Sequence, residues 1–156
     1  VAQDAKLFYG TVRENITFGL NAVSDEEVVA AATKAGILEL VNSHPLGFEM
    51  PVGERGETLS GGQRSAISLS RVFLRSPRVL LMDEPTAAMD QGTEERMRQQ
   101  IRTEFTDCTL LLITHKMNML DLVDRLIVMD KGTIVADGPK AEVLEALKTG
   151  TVRGRS

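Results

Sequence analysis

Two short apolar runs with a helical segment between them constrain the fold of this chain most. The runs are V-L-L-M at Val79 to Met82 and L-L-L-I at Leu110 to Ile113. Asp90 lies between them, where an acidic side chain can cap a helix predicted over Gln91 to Phe105. A strand, a helix and a second strand of these lengths are typical of a right-handed parallel crossover. The sequence therefore predicts an α/β fold.

Ionisable side chains stand at the C-terminal end of both predicted strands. Asp83 and Glu84 close the first strand, and His115 closes the second. Ligands of parallel sheets bind beyond these carboxyl ends. One carboxylate there can hold hydrated Mg²⁺, the other can reach the water that attacks a phosphate, and an imidazole can hydrogen-bond a phosphate oxygen. Adjacent acids are more often part of a solvated loop and a single histidine is more often structural, but a position directly after an apolar strand favours a site.

The stretch L-S-G-G-Q at Leu59 to Gln63 places flexible residues at the start of another predicted helix. Ser60 and Gln63 fit a capping box, which by itself explains the serine and the glutamine. A cap does not explain Gly61 and Gly62, because a glycine costs a helix roughly 1 kcal/mol relative to alanine. Bare amides at the positive end of a helix dipole bind phosphate. We therefore interpret this turn as an anion-binding site, with a plain cap as the alternative.

The rest of the chain divides at about residue 79. Residues 10–78 are predicted to be mostly helical, and residues 79–147 to alternate strand and helix. A capping box begins a helix at Ser24 that ends before Gly36, and His44 in a later loop is interpreted as structural. The remaining predicted elements are a helix at Ile37 to Asn42, strands at Arg125 to Asp130 and Thr133 to Ala136, and a final helix from Pro139 to about Leu147.

Composition excludes several classes of protein. The 156 residues carry a net charge of -4, so no general nucleic-acid surface is expected. Cys108 is the only cysteine, which excludes an internal disulfide and fits a reducing compartment. The apolar runs are far shorter than the roughly 18 residues of a membrane span. Residues 148–156 form a basic tail that we expect to be disordered.

Five motifs, in this order, resemble those of the nucleotide-binding domain of ATP-binding cassette (ABC) proteins. The resemblance runs from Val1 to about Leu147. It implies a P-loop NTPase-like cassette with a mostly parallel sheet, flanking helices and a helical subdomain. The motifs are Gln3 in V-A-Q-D (Q-loop), L-S-G-G-Q at Leu59 to Gln63 (signature), V-L-L-M-D-E at Val79 to Glu84 (Walker B), Asp90 in A-A-M-D (D-loop) and His115 in I-T-H-K (H-loop).

Members of this family pair head to tail, and each ATP lies between the P-loop of one cassette and the signature of the other. The resemblance implies that a second cassette is a partner of this chain and that ATP and Mg²⁺ are its cofactors. The implied roles are nucleotide binding for Ser60, Gly61, Gly62 and Gln63, Mg²⁺ contact for Gln3 and Asp83, general base for Glu84, γ-phosphate positioning for His115, and communication across the dimer for Asp90.

Further stretches of sequence narrow the subfamily. V-G-E-R-G-E-T at Val52 to Thr58 looks like the X-loop of exporters, where Glu54 would touch the transmembrane domains. D-A-K-L-F-Y-G-T-V-R-E-N-I and H-P-L-G-F-E-M-P-V-G-E-R-G are most similar to type I protein secretion ATPases. This resemblance implies an exporter of unfolded polypeptides whose cassette lies at the cytoplasmic face of the inner membrane. Its implied partners are an adaptor and an outer-membrane channel.

One motif of the family has no counterpart in this chain. The sequence contains no G-x-x-x-x-G-K-[ST] loop, whose amides and lysine cradle ATP phosphates. We therefore expect the chain to be part of a longer protein and to hydrolyse no ATP by itself. We also expect both predicted strands to expose unpaired edges, because the strand that precedes the P-loop is missing.

Two other interpretations remain open. One is a non-transport ABC ATPase of the chromosome-maintenance or translation type, which shares the signature, Walker B and H-loop. Only Asp4 to Thr58 separates Q-loop and signature here, which is too short for the long coiled coils of the maintenance type. The other is a non-catalytic dimerisation or regulatory module, which the presence of both Glu84 and His115 disfavours.

Overall fold

The computed structural model describes residues 1 and 6–150, which form two compact units, one ending at His115 and the other beginning at Lys116. The first unit contains the helices α1 (Val12–Thr17), α2 (Asp25–Lys34), α3 (Leu38–Ser43), α4 (Gly61–Arg75) and α5 (Gln91–Glu104), and the strands β1 (Val79–Asp83) and β2 (Thr109–Ile113). The second contains β3 (Arg125–Asp130), β4 (Thr133–Pro139) and α6 (Lys140–Lys148). Short 3-10 turns lie at Gly47–Glu49, Glu54–Gly56 and Met117–Leu122. Residues 151–156 of the predicted tail lie outside the described residues, and Lys148 belongs to α6.

Local hydrogen bonds determine where several helices begin. In a capping box the side chain before the helix accepts a bond from the third helical amide, and the third side chain accepts one in return. This pattern confirms the predicted starts of α2 and α4 and also begins α1. Gly36, with φ of +74°, follows the end of α2 as predicted. Among the described helices the boxes pair Thr11 with Glu14, Ser24 with Glu27, and Ser60 with Gln63.

The buried core of the first unit lies between α1, α2 and α4. Ile16, Val28 and Ile67, one from each helix, have no exposed surface. Burying a side chain of this size stabilises a fold by about 1.5–3 kcal/mol. The segments before α1 and before α4 complete the cluster with Leu7, Met50, Val52 and Leu59.

The strands β1 and β2 are parallel and in register along their whole length, which confirms the predicted crossover through α5. The other edge of β1, which was predicted to be unpaired, is covered by the described residues at its C-terminal end only. Its Asp83 amide donates to the Val1 carbonyl at 2.9 Å, and the Val1 ammonium donates to the Leu81 carbonyl at 2.6 Å. The first residue of the chain thus continues the sheet on that side.

The two faces of this sheet differ in burial. Leu80 and Met82 point into the unit and are 4% and 1% exposed. Their neighbours along the strand point the other way, because side chains alternate across a strand. This apolar second face is 52–59% exposed and consists of Val79, Leu81, Leu111 and Ile113.

The strands β3 and β4 form an antiparallel hairpin in the second unit. Its turn, Lys131-Gly132, has positive φ at both residues, as two-residue hairpin turns require. The strand β4 was predicted to end at Ala136 but continues to Pro139, opposite Arg125. Arg125 Nε and Nη2 donate to the two Asp137 carboxylate oxygens at 2.9 Å each, so this ion pair lies in the part of β4 that the prediction omitted.

The opposite faces of β1 provide a matched pair of substitutions. We expect Leu80→Ala to lower the free energy of unfolding by about 2–5 kcal/mol, because a buried leucine leaves a cavity. Leu81→Ala, one residue further and exposed, should change it by less than about 0.5 kcal/mol. Urea unfolding followed by circular dichroism measures both values. An equal loss in the two variants would contradict the exposed face, since it would mean that Leu81 is covered in solution.

Candidate functional site

The first turn of α4 carries the predicted anion site. Ser60 Oγ accepts a hydrogen bond from the Gln63 amide at 3.2 Å, and Gln63 Oε1 accepts one from the Ser60 amide at 2.8 Å. The predicted cap is therefore confirmed. The first amides of a helix have no acceptor within it, and those of Gly61 and Gly62 lie at the positive end of the α4 dipole. Anion binding at this capped turn stays a prediction.

A close contact with Ala88 is a second, structural reason for glycine at positions 61 and 62. A Cβ atom at Gly61 would lie 2.7 Å from the Ala88 Cβ, and one at Gly62 would lie 3.2 Å from the Ala88 carbonyl oxygen. Neither glycine has a positive φ, so the backbone conformation alone does not require them. Sequence reasoning assigned these glycines to anion binding only. It missed the contact because no local pattern relates this turn to Ala88.

Asp90 lies beside the same turn and caps α5. Its Oδ2 accepts a bond from the Thr93 hydroxyl at 2.7 Å and its Oδ1 one from the Thr93 amide at 3.0 Å. These bonds hold the pKa of Asp90 below its usual 3.8. Thr93 was missed from the sequence, although a threonine three residues after an N-cap aspartate is a local signal. One cavity of about 570 Å³ is lined by Ser60, Gly62, Gln63 and Asp90, together with α3 and the loop at Ala88 and Met89.

The carboxyl ends of β1 and β2 bring the two predicted catalytic residues together. Glu84 Oε1 accepts a hydrogen bond from the His115 amide at 2.9 Å and lies 2.6 Å from His115 Nδ1. The Thr114 hydroxyl lies 3.4 Å from Glu84 Oε2. The Glu84 side chain is 13% exposed and that of His115 is 77% exposed. A shielded carboxylate beside an exposed imidazole is suited to proton transfer.

The backbone at Glu84 is strained. Its φ is +43°, in the left-handed region that residues other than glycine rarely adopt. Its amide still donates to the Ile113 carbonyl at 2.9 Å and so extends the parallel ladder. Strained residues cost about 1–3 kcal/mol and are concentrated at functional sites. The chain therefore turns sharply at the point where the Glu84 side chain meets His115.

Asp83 is the described candidate for binding Mg²⁺. It is the last residue of β1 and is exposed. No group of three or more His, Cys, Asp or Glu side chains that could hold a metal occurs in the part of the chain that the structure describes. Mg²⁺ commonly uses one or two carboxylates together with the phosphates of a substrate, and Asp83 fits a site of that kind. Gln3, the other predicted ligand, lies outside the described residues.

Glu54, the predicted contact to the membrane domains, lies on an exposed turn. The residues on either side, Gly53 and Arg55, have φ of 73° and 55°. Behind the turn, Arg64 of α4 donates to the Leu59 carbonyl at 2.6 Å. The side chains of Glu54 and Arg55 therefore face solvent next to the start of α4.

The chain matches a known family of proteins. A family model described as "ABC transporter" matches residues 1–87, which is more than half of the 156 residues. The chain is a member of the ABC transporter family. The matched segment includes both the signature turn and the Walker B carboxylates of the nucleotide-binding domain.

A solved structure shows the same fold. The "Structure of a bacterial Atm1-family ABC exporter with ATP bound" aligns with a TM-score of 0.86 and 33% identity. The alignment covers 92% of this chain and 25% of that one. The predicted α/β ABC cassette fold is thereby confirmed, with one parallel and one antiparallel pair of strands among the described residues.

Curated relatives are exporters by name. A "Multidrug efflux ATP-binding/permease protein" of Mycobacterium bovis is 42% identical over 145 residues, which cover 93% of this cassette chain and 12% of that protein. A "Putative multidrug export ATP-binding/permease protein" of Bacillus subtilis is 39% identical over 145 residues, covering 93% of the chain and 25% of that protein. The cassette chain thus spans 12–25% of the length of these relatives.

The contact between Gly61 and Ala88 can be tested by adding a methyl group at residue 61 and removing one at residue 88. Alanine normally favours a helix by roughly 1 kcal/mol over glycine, but overpacking costs about 1–3 kcal/mol. We therefore expect Gly61→Ala to lower the melting temperature. Ala88→Gly in the Gly61→Ala variant should restore it. Thermal unfolding of the two single variants and the double variant provides the comparison. A Gly61→Ala variant as stable as the original chain, or one that Ala88→Gly leaves unrescued, would show that this contact does not require glycine.

Proposed function

We propose that this chain is the signature-bearing part of the ATP-binding and hydrolysing domain of an exporter, in which ATP-driven pairing of two cassettes powers transport. The observation that carries the proposal is the pairing of Glu84 with His115 at the carboxyl ends of two parallel strands, where ligands of such sheets bind. Membership of the ABC transporter family supports ATP as the ligand.

Each predicted site residue has a part in this proposal. Glu84 accepts a proton from the water that attacks the γ-phosphate, and His115 hydrogen-bonds a γ-phosphate oxygen. Asp83 and Gln3 would hold Mg²⁺, which would neutralise charge on the phosphates. Asp90 communicates with the site of the partner cassette. The residues that contact the ATP held by that partner are Ser60, Gly61, Gly62 and Gln63.

The missing phosphate loop limits what the chain does by itself. The sequence contains no G-x-x-x-x-G-K-[ST] motif, and the lysine and amides of that loop are mainstays of phosphoryl transfer. The hydrolytic carboxylates and the signature turn therefore act on a nucleotide that another segment holds. We propose that the 156-residue chain alone does not turn over ATP.

The cargo class that we propose is drugs. The relatives reported above are named for multidrug efflux or export, and their names do not mention protein secretion. The finer sequence-based prediction of type I secretion, with an adaptor and an outer-membrane channel, rests on short stretches such as L-F-Y-G-T-V-R-E-N-I alone. The non-transport interpretation shares the signature, Walker B and H-loop, but the relatives reported above are named as exporters. The regulatory interpretation fits the absence of the phosphate-loop motif, but the presence of both Glu84 and His115 disfavours it.

Membrane-spanning domains are the proposed second partner. Among residues 6–150 the structure contains no helix with the length and apolar character needed to cross a membrane. We propose that the cassette lies at the cytoplasmic face of a membrane and contacts those domains through the exposed turn at Glu54.

A substitution at Glu84 tests the proposed hydrolysis in the full-length protein that contains this chain. We expect Glu84→Gln to lower the rate of ATP hydrolysis by about 10²–10⁴-fold, because the general base is lost. ATP binding should persist, and the ATP-bound pair of cassettes should last longer. Phosphate release and size-exclusion chromatography with ATP measure the two effects.

This experiment also needs a matched control variant and a comparison of two kinds of cargo. Glu26→Gln removes the same charge at an exposed position of α2 and should leave hydrolysis unchanged. Normal turnover in Glu84→Gln would remove Glu84 from the role of general base, and absence of ATP hydrolysis by the unmodified protein would contradict the proposed function. In liposomes, stimulation of ATP hydrolysis by a panel of drugs supports the proposed cargo, whereas stimulation by an unfolded polypeptide alone supports type I secretion.

The contact at Glu54 makes a separate prediction. If the turn meets the membrane domains, Glu54→Lys should lower the ratio of cargo-stimulated to basal ATP hydrolysis, because the reversed charge disturbs that interface. Glu142→Lys, an exposed reversal at the start of α6, is the comparison. Equal ratios in the two variants would place the contact elsewhere.

A further inference from the structure

An arginine of α4 holds an exposed pair of aromatic rings. Phe8 and Phe18 stack with centroids 4.0 Å apart and ring planes 16° apart, and each side chain is 48% exposed. The Arg71 guanidinium lies 5.3 Å from the Phe8 centroid and 5.9 Å from that of Phe18. Cations at such distances are attracted to the ring faces. We call Phe8 and Phe18 the aromatic pair.

Asn15 joins the guanidinium to the backbone of the aromatic pair. This residue is 1% exposed, and its Oδ1 accepts bonds from the Phe8 amide at 2.8 Å and from Arg71 Nη2 at 2.7 Å. Its carbonyl accepts a third bond, from Arg71 Nε at 2.5 Å. The planar fork of an arginine makes two such bonds while stacking on a ring, and a lysine cannot.

Burial strengthens these contacts. Desolvation, and then the neighbouring Arg75 cation, lower the pKa of Arg71. Cation–π contacts gain strength where the cation is desolvated. Arg75 lies one turn further along α4 and donates to the Phe18 carbonyl, without a ring contact of the kind that Arg71 makes among the described residues.

The helix α4 leads from this cluster to the signature turn. Arg71 and Gly61 belong to the same uninterrupted helix and are separated by about 15 Å along its axis. A packed helix can carry a displacement between sites as a rigid element. At its first turn the helix is in close contact with Ala88, so a small shift there changes the position of the Gly61 amide relative to the loop.

We propose that Arg71 is a positioning residue that couples the aromatic pair to the signature turn at Ser60, Gly61 and Gly62. A displacement of either ring moves the guanidinium, and with it α4 and the amides of its first turn. The inference rests on the proposed function only in taking those amides as the nucleotide contact. Neither the cap at Ser60 nor the cluster at Glu84 requires Arg71.

Nuclear magnetic resonance of the chain labelled with ¹⁵N-glycine tests the coupling. Four proteins are compared: the original chain, Phe18→Ala, Arg71→Lys, and both substitutions together. We expect Phe18→Ala to shift the amide resonances of Gly61 and Gly62 by more than a line width, and we expect Arg71→Lys to abolish that response. Equal responses with and without Arg71→Lys would overturn the proposal, as would the absence of any response in the original background.

Arg75→Lys is the matched control, because it changes a neighbouring arginine of the same helix. The response of Gly61 and Gly62 to Phe18→Ala should persist in that background, and its loss would show that the effect is not specific to Arg71. If the Arg71→Lys variant does not fold, the Arg71 Nε–H resonance is compared instead between the original chain and Phe18→Ala. A shift of Nε–H in Phe18→Ala without a shift of the glycine amides would also overturn the proposal.

These spectra require no nucleotide, so they separate the two proposals. A missing response contradicts the coupling through Arg71 and leaves the role of Glu84 untouched. A hydrolysis rate that does not depend on Glu84 contradicts the proposed function and leaves the measured coupling as a property of the fold.

Discussion

The contact between the first turn of α4 and the loop after β1 determines how the candidate site is arranged. Gly61 approaches Ala88 so closely that a single methyl group on the glycine would lie 2.7 Å from the alanine Cβ. Close-packed contacts of this kind leave little room for adjustment. The cap of α4 at Ser60 and the cap of α5 at Asp90 therefore line the same cavity.

The loop between β1 and α5 relates the two groups of site residues. Glu84 begins this loop with a strained backbone and contacts His115. Ala88, in the middle, packs against the signature glycines, and Asp90 ends the loop as the cap of α5. A shift at either end of so short a segment has to be absorbed within a few residues. In the proposed function this is why a change at the signature turn can reach the hydrolytic carboxylate.

Much of the fold was predictable because its signals are local. The capping boxes at Ser24 and Ser60 and the β1–α5–β2 crossover follow from residues close in sequence, and the structure confirms them. The end of β4 was predicted wrongly because its last residues pair with Arg125 and Leu126 across the hairpin, and glycine and proline at these positions give no local strand signal. Motif order predicted the family correctly, whereas the finer prediction of type I secretion rested on short stretches, and the relatives are named for multidrug efflux or export.

By itself, the sequence determined the helix starts, the parallel crossover and the residue types at the strand ends, since these depend on neighbours within one or two turns and on the alternation of a strand. Only the tertiary structure decided which distant residues meet. It placed Gly61 against Ala88, His115 against Glu84, and Arg71 against Asn15. No local pattern encodes these contacts, because each of them depends on how separate elements pack around the core.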